Sequence, residues 1–213
     1  MLIIGAKGFA KEVLEIAYQI NLTDNLAFFD NVSTDIPDIL YDKFPVIKTF
    51  EEASNYFTKY GNGFNLGIGN PSSRAALYKR FIELGGIPTS IISPFANIGH
   101  YNNKIGECVN IMTGTVITND VTIGRGSLIN LNCTIGHDTI MGEFCELSPG
   151  VHVSGNCQIG DYCNIGTGAV ILPKVKLGRN VIVGAGAVVT KDVDENTLVV
   201  GMPAKEIKKL NPI

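Results

Sequence analysis

The second half of this chain repeats every six residues, and no other feature limits its fold as strongly. From Ile105 onward every sixth position is aliphatic: Ile105, Ile111, Ile117, Ile123, Ile129, Ile135, Met141, Leu147, Val153, Ile159, Ile165, Ile171, Leu177, Val183 and Val189. The fifth place of each hexad, from Val109 to Val193, holds only Val, Ala, Thr, Ser or Cys. A helix repeats near 3.6 residues and a half-buried strand at two, so neither explains a period of six. A unit this short cannot bury its own apolar face and has to stack on its neighbours. With three hexads to a triangular turn, the 15 hexads make five coils, and Ile92 and Ile98 open a sixth before the pattern slips near Asn102-Asn103-Lys104. The second place is often Gly (Gly106, Gly124, Gly136, Gly142, Gly160, Gly166, Gly178, Gly184), which is expected to serve turns of unusual φ.

The same register accounts for the cysteines. Cys133, Cys145, Cys157 and Cys163 all occupy the small inward place, where a free thiol behaves as a small hydrophobe. No CxxC or Cys/His spacing is present, so no metal site is expected, and unpaired thiols suit a reducing compartment. Cys108 is off-register. Hydrophobic residues at 45% and charged residues at 17% exclude a disordered chain. A net charge of −3 offers no basic field for nucleic acid, and no apolar run is long enough for a membrane span. The N-terminus, Met1-Leu2-Ile3-Ile4-Gly5, lacks the pattern of a signal peptide, and a cytoplasmic protein is expected.

Residues 1–90 read differently. Leu2-Ile3-Ile4 is a short strand, followed by the loop Gly5-Ala6-Lys7-Gly8-Phe9-Ala10 and a helix with an apolar stripe at Val13, Ile16, Ala17 and Ile20. Strands are expected at Leu26-Ala27-Phe28-Phe29, at Phe44-Pro45-Val46-Ile47 and at Phe64-Asn65-Leu66-Gly67-Ile68-Gly69. Thr49-Phe50-Glu51-Glu52 spells a capping box for a helix to about Tyr60. Asn70-Pro71 opens another helix that Gly85-Gly86 closes. The βαβα order predicts a Rossmann-like parallel sheet with its ligand at the strand carboxyl ends. Gly5, Gly8 and Ala10 belong to a phosphate-type glycine loop, although such a loop is also an ordinary tight βα turn. Asp30 ends the second strand, where an acid commonly takes a ribose hydroxyl; its alternative is a turn residue in Asp30-Asn31. Gly69, Asn70 and Arg74 fall on the same edge.

Together these residues resemble the sialic-acid O-acetyltransferase family of hexapeptide-repeat acyltransferases, which includes nucleotide-aminosugar N-acetyltransferases. The markers are Ile3-Ile4-Gly5-Ala6-x-Gly8-x-Ala10, Gly67-Ile68-Gly69-Asn70 with Arg74, Ile135-Gly136-His137-Asp138, and the closing Val200-Gly201-Met202-Pro203-Ala204-Lys205. The resemblance implies a left-handed parallel β-helix, an exception to right-handed crossovers, and a homotrimer with acetyl-CoA between neighbouring helices. It also implies three regions: residues 1–90 holding a nucleotide-sugar, residues 91–193 as the acyltransferase helix, and residues 194–213 as an extension at the CoA end.

Of the three histidines, His100 precedes the regular repeat and reads as a surface residue, and His152 faces outward from a sixth place. His137 faces outward from a third place and is followed by Asp138. Acyl transfer needs a base that deprotonates the acceptor, and His suits that task near neutral pH. A neighbouring carboxylate fixes the tautomer; Asp138 is the first choice, with Glu143 or Glu146 as alternatives. The family match makes His137 and Asp138 the catalytic pair and sets Asn130 near the acceptor. It assigns Glu146, Gly155, Ala185, Lys191 and Lys205 to acetyl-CoA, with the Gly155 N–H facing the oxyanion and the lysines facing phosphates. Phe9 departs from a common Gly-His spelling of the first loop, and Glu146 stands where some relatives have a second His. The expected activity is N-acetylation of a nucleotide-linked (4-)amino sugar in surface-glycan synthesis. The alternatives are O-acetylation of sialic acid or another sugar, and a silent nucleotide-sugar-binding scaffold.

Overall fold

The computed structural model describes residues 1–213. Its N-terminal unit runs β1 (Leu2–Ile4), α1 (Gly8–Gln19), β2 (Ala27–Phe29), β3 (Ile39–Leu40), β4 (Phe44–Ile47), α2 (Phe50–Tyr60), β5 (Gly63–Leu66), α3 (Pro71–Glu83) and β6 (Ile87–Pro88). The sheet order is β3-β4-β2-β1-β5-β6, parallel except for β3 against β4. Chain order therefore reverses at β1, which pairs β2 on one side and β5 on the other. Such a reversal opens a crevice at the strand carboxyl ends.

Local chemistry explains these boundaries. Thr49 accepts from the Glu52 N–H while Glu52 accepts from the Thr49 N–H, which is the expected capping box of α2. Asn70 caps α3 through the Ser73 N–H at 3.0 Å, with Pro71 in the first turn. Two elements differ from expectation. β3 is an added strand, formed by a hairpin whose Tyr41 and Asp42 both have φ of 52°. β5 stops at Leu66, so Gly67-Ile68-Gly69 leaves the sheet as a loop. Gly67 is required there because a Cβ would lie 2.7 Å from the Ala10 Cβ of α1.

Residues 91–189 wind into a β-helix of two-residue strands with every neighbouring pair parallel. The first face stacks Ile91–Ile92, Asn110–Ile111, Leu128–Ile129, Glu146–Leu147, Asn164–Ile165 and Ile182–Val183. The second stacks Asn97–Ile98 through Val188–Val189, and the third Lys104–Ile105 through Lys176–Leu177. The first-place aliphatic and fifth-place small residues fill the tube, in a cluster of 26 buried residues that includes Cys133, Cys145, Cys157 and Cys163. On the first face the closing strand Thr197–Val200 pairs parallel to Ile182–Val183, and Lys205–Lys209 folds back on it antiparallel.

The glycine reading needs correction. Positive φ falls on the fourth place of the hexad, not the second, and there Asp138, Asn156 and even Phe144, Tyr162 and Lys174 adopt it. The second-place glycines answer to close approach between coils instead. A Cβ on Gly136 would stand 2.5 Å from the Gly155 nitrogen, and one on Gly160 would stand 2.6 Å from the Arg179 nitrogen.

The N-terminal unit covers the first face alone. Met112, Leu128 and Ile91 join the cluster under α1, while Cys108 and Phe144 join the cluster under α3. Phe144 packs edge-on against Tyr78 at 5.5 Å and stacks on Tyr162 at 5.7 Å. Off-register Cys108 is thus an interface residue, buried between the two units.

Candidate active site

His137 stands on the edge between the second and third faces, in the turn after Thr134–Ile135. Its Nδ1 lies 2.7 Å from Asp138 Oδ2. A carboxylate only accepts, so Nδ1 carries the hydrogen and Nε2 is left with a free lone pair. Both side chains are more than half exposed. The alternative acids are engaged elsewhere: Glu143 with Arg125 at 2.9 Å, and Glu146 with Arg74 at 3.5 Å. One coil on, Gly155 lies beneath the imidazole, and a Cβ there would come within 2.7 Å of Nε2. Its N–H makes no hydrogen bond in this chain, which leaves a donor beside the base. His152 is bonded to Thr134 Oγ1 at 2.9 Å on the second face, and His100 is exposed.

A second concavity, of about 320 Å³, opens at the switch point of the N-terminal sheet. Gly5, Lys7, Phe9, Asp30, Ser33 and Gly69 are among its walls. Gly5 has φ of +108°, and a Cβ would meet the Gly67 carbonyl oxygen at 2.7 Å, so only glycine fits. Asp30 both lines the cavity and holds its own turn, accepting from Val32 and Ser33 N–H at 3.1 and 2.9 Å. Lys7, one of the lining residues, pairs with the exposed Asp35 at 3.0 Å.

Several expected site residues also carry structural duties. Ala10 is fully buried against Gly67, Gly8 is the open first residue of α1, and Asn70 is a helix cap. Asn130 is 9% exposed and its Oδ1 accepts from the Leu131 N–H. Arg74 is the clearest correction. It is 0% exposed, and its guanidinium donates to the carbonyls of Gly126, Phe144, Cys145, Ile68 and Gly69. A side chain with its donors so committed cannot be a ligand contact. Its signal in the sequence was only one of position, because partners up to 72 residues away are set by how the two units dock.

The residues assigned to acetyl-CoA do not gather within one chain. Gly155 and Lys191 share His137's edge, Ala185 lies on the edge between the first and second faces, and Lys205 begins the antiparallel strand. Lys191 lines a hollow of about 250 Å³ together with Asp192, Asp194 and Glu206, whose charges oppose a phosphate there. Glu146 projects from the first face beside Gly69, on the side of the nucleotide-type cavity. The first face is the side of the triangle opposite His137's edge. The cavity and the base of one chain are therefore held on opposite sides of the prism. No group of three His, Cys, Asp or Glu side chains converges as metal ligands would, and no helix is long and apolar enough to cross a membrane.

A nucleotide-type crevice fixed to a hexapeptide β-helix with an exposed His–Asp pair is the architecture of a sugar acyltransferase. Residues 1–81 match the PglD N-terminal domain family, and residues 138–173 and 156–191 match the bacterial transferase hexapeptide family. The acetyltransferase domain of PglB from Neisseria gonorrhoeae is 30% identical, with 97% of this chain and 98% of that chain covered and a TM-score of 0.89. A variant of perosamine N-acetyltransferase from Caulobacter crescentus, in complex with CoA and GDP-perosamine, is 28% identical over 98% of this chain and 96% of that one, with a TM-score of 0.91. WeeI from Acinetobacter baumannii is 29% identical over 97% and 98%, with a TM-score of 0.87. This chain belongs to the hexapeptide-repeat family of nucleotide-sugar acetyltransferases.

Proposed function

We propose that this protein transfers the acetyl group of acetyl-CoA to the amine of a nucleotide-linked amino sugar, with a 4-amino-4,6-dideoxy sugar as the leading candidate. The reaction would serve surface-glycan synthesis. The observation that carries the reading is the presence in one chain of the switch-point cavity of the N-terminal sheet and the His137–Asp138 pair on the β-helix to which that sheet is docked. The ligands bound to the Caulobacter relative, CoA and GDP-perosamine, support the same pair of substrates.

In this mechanism the amine nitrogen attacks the thioester carbonyl carbon. The C–N bond forms as His137 Nε2 removes the amine proton, and Asp138 stabilises the imidazolium. The developing oxyanion accepts from the unpaired Gly155 N–H. The C–S bond then breaks and the CoA thiolate recovers the proton from His137. The opposite placement of cavity and base supports an active site made between copies. A homotrimer, in which the cavity of one chain faces His137 of the next, satisfies this geometry. Five buried free thiols fit a cytoplasmic setting.

The test is CoA-thiol release from acetyl-CoA with GDP-, UDP- and dTDP-linked 4-amino-4,6-dideoxy sugars, with free sialic acid as a hydroxyl acceptor. Turnover on an amino sugar that His137→Ala abolishes supports the proposal. Turnover on the hydroxyl acceptor alone moves the assignment to O-acetylation. Nucleotide-sugar binding without any turnover would make the protein a scaffold.

A further inference from the structure

Glu146 is a carboxylate without an adequate structural reason. Its side chain is 16% exposed, and its one side-chain hydrogen bond is a 3.5 Å contact from Arg74 to Oε2. Arg74 spends its better bonds on carbonyls, including 2.8 Å to Cys145 and 2.9 Å to Gly126. Burial consequently pushes the Glu146 carboxyl above its ordinary value despite the neighbouring guanidinium. Removing a carboxylate from water is costly, and a single long contact recovers little of that cost. A glutamine would keep the shape and contact without the charge.

The position of the group supplies a function for it. A Cβ built on Gly69 would lie 3.6 Å from both Glu146 oxygens, so the carboxylate borders a wall residue of the switch-point cavity. Oε1 accepts no hydrogen bond from the protein. Along the first face its neighbours in register are uncharged, Leu128 on one side and Asn164 on the other. No competing cation reaches it except Arg74, which is fully buried behind it. The arrangement is a largely desolvated carboxylate beside the cavity-wall residue Gly69, with Arg74 buried behind it.

We infer that Glu146 is a specificity-determining residue that receives the cationic amino group of the acceptor sugar, with Arg74 as its positioning residue. The inference rests on the proposed amino-sugar activity and adds the group that distinguishes an amine from a hydroxyl. An ammonium brings a full charge and several donors to a site where water screens little, whereas a hydroxyl brings one neutral donor. The bound ammonium first releases one proton to solvent, which frees the nitrogen lone pair, and His137 of another copy takes the second proton as the C–N bond forms. Arg74 acts by holding the Gly69 loop and the Glu146 carboxylate in one arrangement.

The test compares the wild type with Glu146→Gln on the amino acceptor found by the release assay. The same nucleotide-linked sugar with a hydroxyl in place of the amine serves as a competitive inhibitor. The expected result is a KM for the amino acceptor raised about tenfold, with the inhibitor constant of the hydroxyl counterpart and the KM for acetyl-CoA within about twofold of wild type. Arg74→Lys should reproduce part of the acceptor effect while retaining the fold by circular dichroism. Equal weakening of the amine and hydroxyl compounds, or no change in either, would overturn the inference. Absence of turnover by the wild type on every amino sugar would instead defeat the proposed function, so the two failures are separable.

Discussion

Gly155→Ala offers a direct test of the proposed chemistry, because it disturbs His137 without removing any functional group. The new Cβ would stand 2.7 Å from Nε2, 2.9 Å from Cε1 and 3.0 Å from Cδ2. Ordinary contact begins at 3.4 Å, so the ring has to retreat by roughly 0.7 Å. Gly155 does not have positive φ, so alanine meets no backbone penalty. The imidazole is 63% exposed and can swing outward. The fold should therefore lose no more than about 0.5 kcal/mol, as for an ordinary surface change. Catalysis should lose far more, since an error near 1 Å in a positioned base costs on the order of 100-fold, about 2.7 kcal/mol of barrier. Alanine retains the N–H, so the oxyanion donor survives and the loss reports on the base.

The assay is acetyl-CoA thiol release with saturating amino acceptor, run beside urea unfolding. The expected outcome is kcat lower by about 100-fold with the unfolding midpoint almost unchanged. His137→Ala in the same background should add little, because the two changes act on one group. A Gly155→Ala enzyme with wild-type kcat would refute the placement of His137 at the reacting nitrogen.

Arg74→Met should be among the most damaging substitutions, costing about 3–5 kcal/mol, because it strips donors from buried carbonyls and leaves Glu146 unpaired; chemical denaturation measures this. Thr49→Ala breaks the capping box of α2 and should cost about 1 kcal/mol by the same measurement. The raised Glu146 carboxyl means that the folded state binds its proton more tightly than the unfolded chain. Its contribution to stability is therefore present in acid and declines as pH rises through and just above the ordinary carboxylate range. Glu146→Gln should remove that decline from the pH–stability curve, and an unchanged curve would contradict it. All five cysteines are buried, and burial pushes Cys108 up to about 12 and Cys133 up to about 11, so the native protein should be silent to a thiol reagent that titrates all five in denaturant.

The β-helix was legible because one register governs every coil: the same places point inward from Ile105 to Val189, and the structure places them there. The helix caps were legible because Thr49 and Asn70 act within four residues of themselves. Arg74 was not, since its partners arise from the docking of two units. The signal that could have found the docking face is the set of outward places that carry apolar or aromatic residues, Met112, Leu128, Phe144 and Tyr162, where polar residues would otherwise stand. The first-face setting of Glu146 beside Gly69 was hidden for the same reason. Glu146 lies a short distance along the chain from His137, but it belongs to another face of the triangle.

The antiparallel strand Lys205–Lys209 has a consequence for the life of the molecule in a crowded solution. A stack of parallel strands has a free rim at each end, and a free rim recruits identical rims into filaments. Here the terminal rim of the first face is taken by a strand running the wrong way for winding to continue, with every residue exposed and three lysines among five. The edge left facing solvent there is short, exposed and lysine-rich, features that discourage edge-to-edge pairing. The strand thereby blunts that end of the first face against pairing with another copy.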